Sequence, residues 1–276
     1  MDEPRRNRPD PQMTPGIPAS RDATSAADGR YRAPALDKGL DILELLSEQP
    51  QGMTRGEIVK AMGRSPSEIY RMIERLVARH YVTRSPEGDR YALSLKLFVL
   101  AHRHPPVNRL AARAQPEMEA FANAVEQSCH LSVYDRGNLT VIAQVSSPGK
   151  LGFSLRLGAR VSLVDTASGQ VLLAFQDEAR RAEMLAAHEV LEGEIPIGPA
   201  QLARALIKVR RQGHWQGESA QTHGITDISV PILAPGGAAL AALTCPYVKR
   251  IDRRGGPSAD VVRERLGDAA QRLSLA

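Results

Sequence analysis

The chain has 276 residues, enough for two domains of ordinary size, and its 42% apolar residues suffice to fill real cores. Aromatic residues at 4% are too few for a single-strand binder built on base stacking, and no apolar run reaches membrane-spanning length or forms a signal-peptide core, so a cytoplasmic chain without a membrane partner is expected. The net charge of +5 matters less than its placement: Arg55 to Arg90 holds eight basic and five acidic residues, whereas the segment before it carries Asp37, Asp41, Glu44 and Glu48.

Residues 1–33 are polar and hold five prolines, and they read as a disordered tail. A helix is expected from Ala35 to Glu48, with Leu36, Leu40, Leu43 and Leu46 inward. Thr54 precedes Glu57 by three residues, a capping box that starts a second helix, and Gly63 falls where a left-handed C-cap is wanted. Ser65-Pro66-Ser67-Glu68 opens a third, with Ser65 as N-cap and Pro66 at the first helical position. Its apolar side is Ile69, Ile73, Leu76 and Val77; its other side carries Ser67, Tyr70, Arg71, Arg75 and Arg79. Strands at 81–84 and 90–93 follow around a turn in which Gly88 supplies positive φ. Capped helix, short turn, capped helix and Gly-turned hairpin is the order of a winged helix-turn-helix, whose second helix enters a DNA major groove. An arginine row on a helix is by itself usually a solvated face; the ordered series is what makes the signal specific.

Ser94 to Ala101 reads as an apolar linker helix, buried on its own domain or against a second copy of the chain, and Pro105-Pro106 is expected to stop it. The expected divisions are a tail over 1–33, the winged domain over 34–93, a linker over 94–104 and a second domain over 105–276. That second domain opens with a helix over 107–127. Strands follow at 129–135, 139–145, 151–157 and 160–164, and helices at 166–175, 178–188 and 199–212. Strands at 227–233 and 239–245 and a helix at 258–273 close it. Hairpins with helices before, between and after them give a mixed α+β fold, an antiparallel sheet flanked by helices like a GAF or profilin-type sensor. Such a sheet can hold a small molecule between one face and a covering loop.

Catalytic and metal motifs are missing. The chain has no GxSxG, P-loop, GxGxxG or HExxH, and Ser147-Pro148-Gly149-Lys150 matches SxxK in a turn, where that motif requires a helix start. Cys129 and Cys245 lie in apolar strand-like runs far apart, which suits buried free thiols rather than a zinc site. His130, inside a strand, reads as a core or pocket histidine rather than a ligand. No cofactor, no metal and no enzymatic activity are expected.

Taken together, ALDKGLDILELL, TRGEIVKAMG, SPSEIYRMIERLVARHYV and RYALSLKLFVLA resemble the winged part of the IclR family of bacterial transcriptional regulators. RLAARAQPEMEAFANAVEQSCHLSVYD, RLGARVSLVDTASGQVLLAF and THGITDISVPILAPGGAALAALT resemble its sensor part, so the likeness spans about residues 35–274. The resemblance implies a homodimer or homotetramer on a pseudo-palindromic double-stranded DNA operator, controlled by a small effector that is commonly an organic or aromatic acid. It carries the recognition helix onto Ser65, Ser67, Tyr70, Arg71 and Arg75. It carries the effector pocket onto Gly158, Ala159, Thr166, Ser168, Gly169, Asp227, Ser229 and Thr244. Arg55, Arg84 and Arg90 are expected on phosphates. The chain departs from the family's pattern at Asp227, often Cys, at Gln170, usually Lys, and in the 162–165 loop, which lacks a His. Two other readings stay open on sequence: a sensor-domain enzyme, and a winged helix used for dimerisation or protein binding.

Overall fold

The computed structural model describes residues 33–102, 105–150, 152–250 and 256–274. The chain divides into two compact units, with the boundary after Val99. Residues 1–32 of the expected tail lie outside the described residues.

The first unit runs α1 (Pro34–Ser47), β1 (Met53–Thr54), α2 (Arg55–Met62), α3 (Pro66–Ala78), β2 (Val82–Arg84), β3 (Arg90–Leu93) and the start of α4 (Lys96–His102). Both halves of the Thr54–Glu57 box form: Thr54 Oγ1 accepts from the Glu57 N–H at 3.3 Å, and Glu57 Oε2 accepts from the Thr54 N–H at 2.7 Å. Gly63 ends α2 at φ 59°, a left-handed conformation that a side chain would strain. Ser65 takes the extended N-cap backbone of α3, but its hydroxyl donates to Glu68 Oε2 at 3.0 Å instead of capping an N–H. Lys38 Nζ lies 2.6 Å from Glu68 and ties α1 to α3. Ile42, Leu46, Ile58, Ile69, Ile73, Val82 and Tyr91 form the core, each large apolar side chain stabilising the unit by roughly 1.5–3 kcal/mol on burial.

Leu36 and Leu40 do not point inward as expected; they are 61% and 48% exposed. α1 bears leucine or isoleucine on more than one side, and Leu40 sits about 200° round the helix from Ile42. The core takes the Ile42–Leu46 side. The wing carries one strand more than the hairpin alone, since β1 pairs with β3 to give the order β1-β3-β2. Pro105-Pro106 does not merely stop α4: it opens the next helix, where proline's missing N–H costs nothing.

The second unit contains α5 (Pro105–Val125), β4 (Cys129–Asp135), β5 (Asn138–Val145), β6 (Arg160–Val161), α6 (Ala167–Ala174), α7 (Glu178–Ala186), α8 (Pro199–Gln212), β7 (Trp215–Glu218), β8 (Ile225–Leu233), β9 (Ala239–Val248) and α9 (Ala259–Leu273). Its strands make one antiparallel sheet in the order β6-β5-β4-β9-β8-β7. Alternation along each strand sorts side chains onto two faces. Cys129, Leu131, Ile228, Val230, Leu243 and Cys245 pack on Met118 and Phe121 of α5 and Val262 and Leu266 of α9. The other face, with Leu139, Val141 and Ala242, packs on Val171 and Leu172 of α6 and Leu202 and Leu206 of α8. The mixed fold expected from the sequence, a winged unit followed by a helix-flanked antiparallel sheet, is the one observed.

The expected strand pair at 151–157 and 160–164 shrinks to the two residues of β6; residues 152–157 carry no strand, and Leu151 lies outside the described residues. β7, Trp-Gln-Gly-Glu at the sheet edge, was not expected, because it lacks the apolar alternation by which a strand shows in sequence. Cys129 and Cys245 are buried free thiols, raised by burial, Cys129 to about 12.

Candidate functional site

In the first unit, Ile69 and Ile73 are fully buried, which fixes the roll of α3 about its own axis. Ser67, Tyr70, Arg71 and Arg75 are thereby held on the exposed side, with Arg71 and Arg75 one turn apart. Arg55, the first residue of α2, lies 5.5 Å from the centroid of the Tyr70 ring, so its cation borders the same face. Of the two acidic residues of α3, Glu68 and Glu74, the first is drawn off: hydrogen bonds from Lys38 and Ser65 hold its carboxyl down at about 2. Ser65 stands beside Ser67, their hydroxyls 3.5 Å apart.

The wing arginines differ from one another. Arg84 is exposed, donates Nε–H to the Gly88 carbonyl at 2.6 Å and lies 5.7 Å from the Tyr91 ring centroid, so it stiffens the turn while its charge remains at the surface. Arg90 is half-buried and donates to the Gln51 carbonyl at 3.1 Å and the Gly52 carbonyl at 3.0 Å, with Glu57 at 3.6 Å. It fastens the wing to the turn before α2.

In the second unit, the polar residues of the sheet line up across neighbouring strands. His130 on β4 is opposite Thr244 on β9, which is opposite Ser229 on β8; one step along, Asp227 is opposite Pro246. α6 stands above them. Thr166 caps it, accepting from the Gly169 N–H at 3.2 Å and donating to the Ser162 carbonyl at 2.6 Å. Between helix start and sheet lies a small cavity of about 60 Å³, lined by His130, Thr166, Ser168, Asp227 and Thr244, by Ser219, Gln221 and Thr222, and by apolar Phe153, Leu155, Val161 and Pro246. A second cavity of about 270 Å³ shares Leu155, Val161 and Gln221 with it.

Of the expected pocket residues, Thr166, Ser168, Asp227 and Thr244 line the cavity. The others are placed differently. Ser229 is fully buried behind Thr244, their hydroxyls 2.8 Å apart. Gly169 packs against the backbone of the 162–163 turn, where an added Cβ would lie 2.2 Å from the Leu163 carbonyl oxygen. Gly158 and Ala159 form the turn into β6, exchanging backbone hydrogen bonds with Val141 at 2.8 and 3.0 Å. Gln170 accepts from the Trp215 indole at 2.9 Å and donates to the Val164 carbonyl at 2.9 Å, joining α6 to the edge strand.

His130, expected as a core or pocket histidine but not among the effector-binding residues, also lines the cavity. It is buried, its Nδ1 has no hydrogen-bond partner, and burial pushes it down to about 4, so the ring is neutral. A histidine amid strand apolars was the available signal. Burial also raises Asp227, and a hydrogen bond from Ser219 offsets part of that rise. Among the described residues no group of three or more His, Cys, Asp or Glu is placed to hold a metal, and no helix is long and apolar enough to cross a membrane.

A helix with Arg71 and Arg75 on its exposed face beside a wing, followed in the chain by a sheet unit with a polar cavity under a helix start, is the arrangement of a DNA-binding regulator with a sensor unit. Comparison with known proteins names the family. The IclR helix-turn-helix domain matches residues 35–86, and the bacterial transcriptional regulator IclR C-terminal domain matches residues 106–275. The chain belongs to the IclR family of transcriptional regulators. Among its relatives, the HTH-type transcriptional regulator KdgR of Escherichia coli is 29% identical over 213 residues, 76% of this chain and 80% of that protein. XynR of the same organism is 26% identical over 253 residues, covering 88% and 96%. An IclR homolog from Microbacterium hydrocarbonoxydans, crystallised with 4-hydroxybenzoate, shares the fold at TM-score 0.70 and 22% identity, covering 87% of this chain and 97% of that one. The Thermotoga maritima IclR matches at TM-score 0.68 and 25% identity, covering 87% and 98%. The protein is thus an HTH-type transcriptional regulator with a C-terminal effector-binding domain.

Proposed function

We propose that the chain binds a pseudo-palindromic operator as a homodimer or a pair of dimers, and that a small molecule in the cavity beneath α6 alters operator affinity. The observation that carries this reading is the α3 face. Buried Ile69 and Ile73 turn Ser67, Tyr70, Arg71 and Arg75 outward together, with Arg55 alongside. Arg71 and Arg75 would read base edges or adjacent phosphates, Ser65 and Ser67 would flank them, and Arg55 and Arg84 would hold phosphates. Arg90 acts chiefly by positioning the wing.

Exposed Leu36 and Leu40 on α1, and Leu95 and Val99 at α4, support pairing of two copies through the winged units. Effector occupancy would reach the operator through α4, which spans the boundary between the units. We take the domains as 34–93 for DNA, 94–104 as linker and 105–276 for the effector, in a cytoplasmic protein without catalytic activity. The test is capture and sequencing of genomic fragments on the purified chain. Enrichment of a two-fold symmetric site supports the reading; uniform recovery at every salt concentration overturns it.

A further inference from the structure

The cavity beneath α6 has an unusual charge pattern. Among the described residues no Lys or Arg lines it, whereas the Asp227 carboxylate does. The adjoining cavity is no more cationic: it holds Glu192 and Glu194, and its single Arg160 is already paired with Glu189 at 2.9 Å. An anionic ligand would therefore meet a partly buried carboxylate, with no charged side chain and only the partial positive charge of the α6 N-terminus to offset it. A cationic ligand is disfavoured from the opposite side, because the N-terminus of α6, with its partial positive charge, opens on the same space.

What remains matched is a neutral molecule that both donates and accepts. The unpartnered Nδ1 of His130, buried at 3% exposure, needs a hydrogen-bond partner that the protein does not supply. Asp227 accepts from Ser219 and has lone pairs to spare. Ser229 and Thr244 share one hydroxyl proton between them, so the pair keeps one more to donate. Leu155, Val161 and Phe153 form a wall suited to the C–H side of a carbon chain.

We propose that this cavity takes a small uncharged polyhydroxylated molecule of the sugar-alcohol class and discriminates against the corresponding carboxylates. The inference rests on the effector-site reading above and departs from the acid that the family resemblance implies. Ligand hydroxyls donate to Asp227 and pair with His130 Nδ1, while other ligand oxygens accept from Thr244 and the first turn of α6.

The test is isothermal titration of the full chain with erythritol and ribitol against erythronate and ribonate, using wild type, Asp227→Asn and His130→Phe. Thermal melts confirm that each variant folds, and operator binding is measured on the same samples. Wild type is expected to prefer each alcohol over its acid by at least roughly tenfold, the worth of one charged contact. Asp227→Asn, nearly isosteric, should narrow that preference by a similar factor by relieving repulsion of the acid; His130→Phe should weaken alcohol binding. A wild-type preference for the acids, binding of neither series, or a preference unmoved by Asp227→Asn overturns the proposal. Operator binding separates this from the wider reading. If a salt-dependent operator complex persists while the alcohols fail, only the ligand class falls; if no operator is bound, the regulator reading falls whichever ligand binds.

Discussion

Replacing Arg71 by alanine should change the salt dependence of operator binding by a calculable amount. Arg55, Arg71, Arg75 and Arg84 are exposed, whereas Arg90 is held by Gln51 and Gly52. If the chain binds as the proposed dimer and each exposed arginine neutralises one phosphate, eight are covered, and log affinity should fall with log salt at a slope of about −7. Between about 50 and 200 mM salt the wild type would then lose roughly 10⁴ in affinity. Arg71→Ala removes two contacts per dimer and should flatten the slope by about 2. Arg90→Ala should leave the slope nearly unchanged while lowering affinity at every salt concentration, because it loosens the wing. Fluorescence anisotropy on a labelled operator across a salt series reads both numbers. A wild-type slope near zero, or equal slopes for wild type and Arg71→Ala, would refute the assignment of this face to DNA.

Ile73→Ala empties a fully buried position in a small core and should cost about 2–5 kcal/mol; differential scanning calorimetry should show the winged unit's transition falling while that of the effector unit stays in place. Gly169→Ala drives a Cβ to 2.2 Å from the Leu163 carbonyl oxygen, an overpacking expected to destabilise the effector unit by about 1–3 kcal/mol or more, with the loss seen in thermal melts without ligand. His130 is held near 4 by burial while the unfolded chain's imidazole titrates near 6.5, so the unfolded state takes up the proton first and stability falls as pH drops through that window. Urea unfolding at about pH 7.5 and about pH 5 should show roughly 2 kcal/mol more loss for the wild type than for His130→Gln; equal losses would mean that the ring is not held neutral.

The winged unit was legible residue by residue because its signals are local. A cap is read three residues away, a turn from one glycine, and a helix face from spacing, so Thr54–Glu57, Gly63, Pro66 and the Ser67-to-Arg75 face all stand where the sequence places them. Membership of the family followed from the order of such segments. Which side of α1 faces the core was not local: leucine or isoleucine occupies several sides, and only packing against α2, α3 and β3 selects Ile42 and Leu46 over Leu36 and Leu40. The role of Arg90 was hidden for the same reason, since its partners at Gln51 and Gly52 are about forty residues away in the chain. The cavity depended on tertiary structure most of all. His130, Asp227 and Thr244 come together only because β4, β9 and β8 are neighbours in an order that the chain does not follow, and Gly169 is excluded from the lining only because α6 presses it onto the 162–163 backbone. Sequence set the chemical types available; strand order and register set which of them face one another, and hence the charge a ligand meets there.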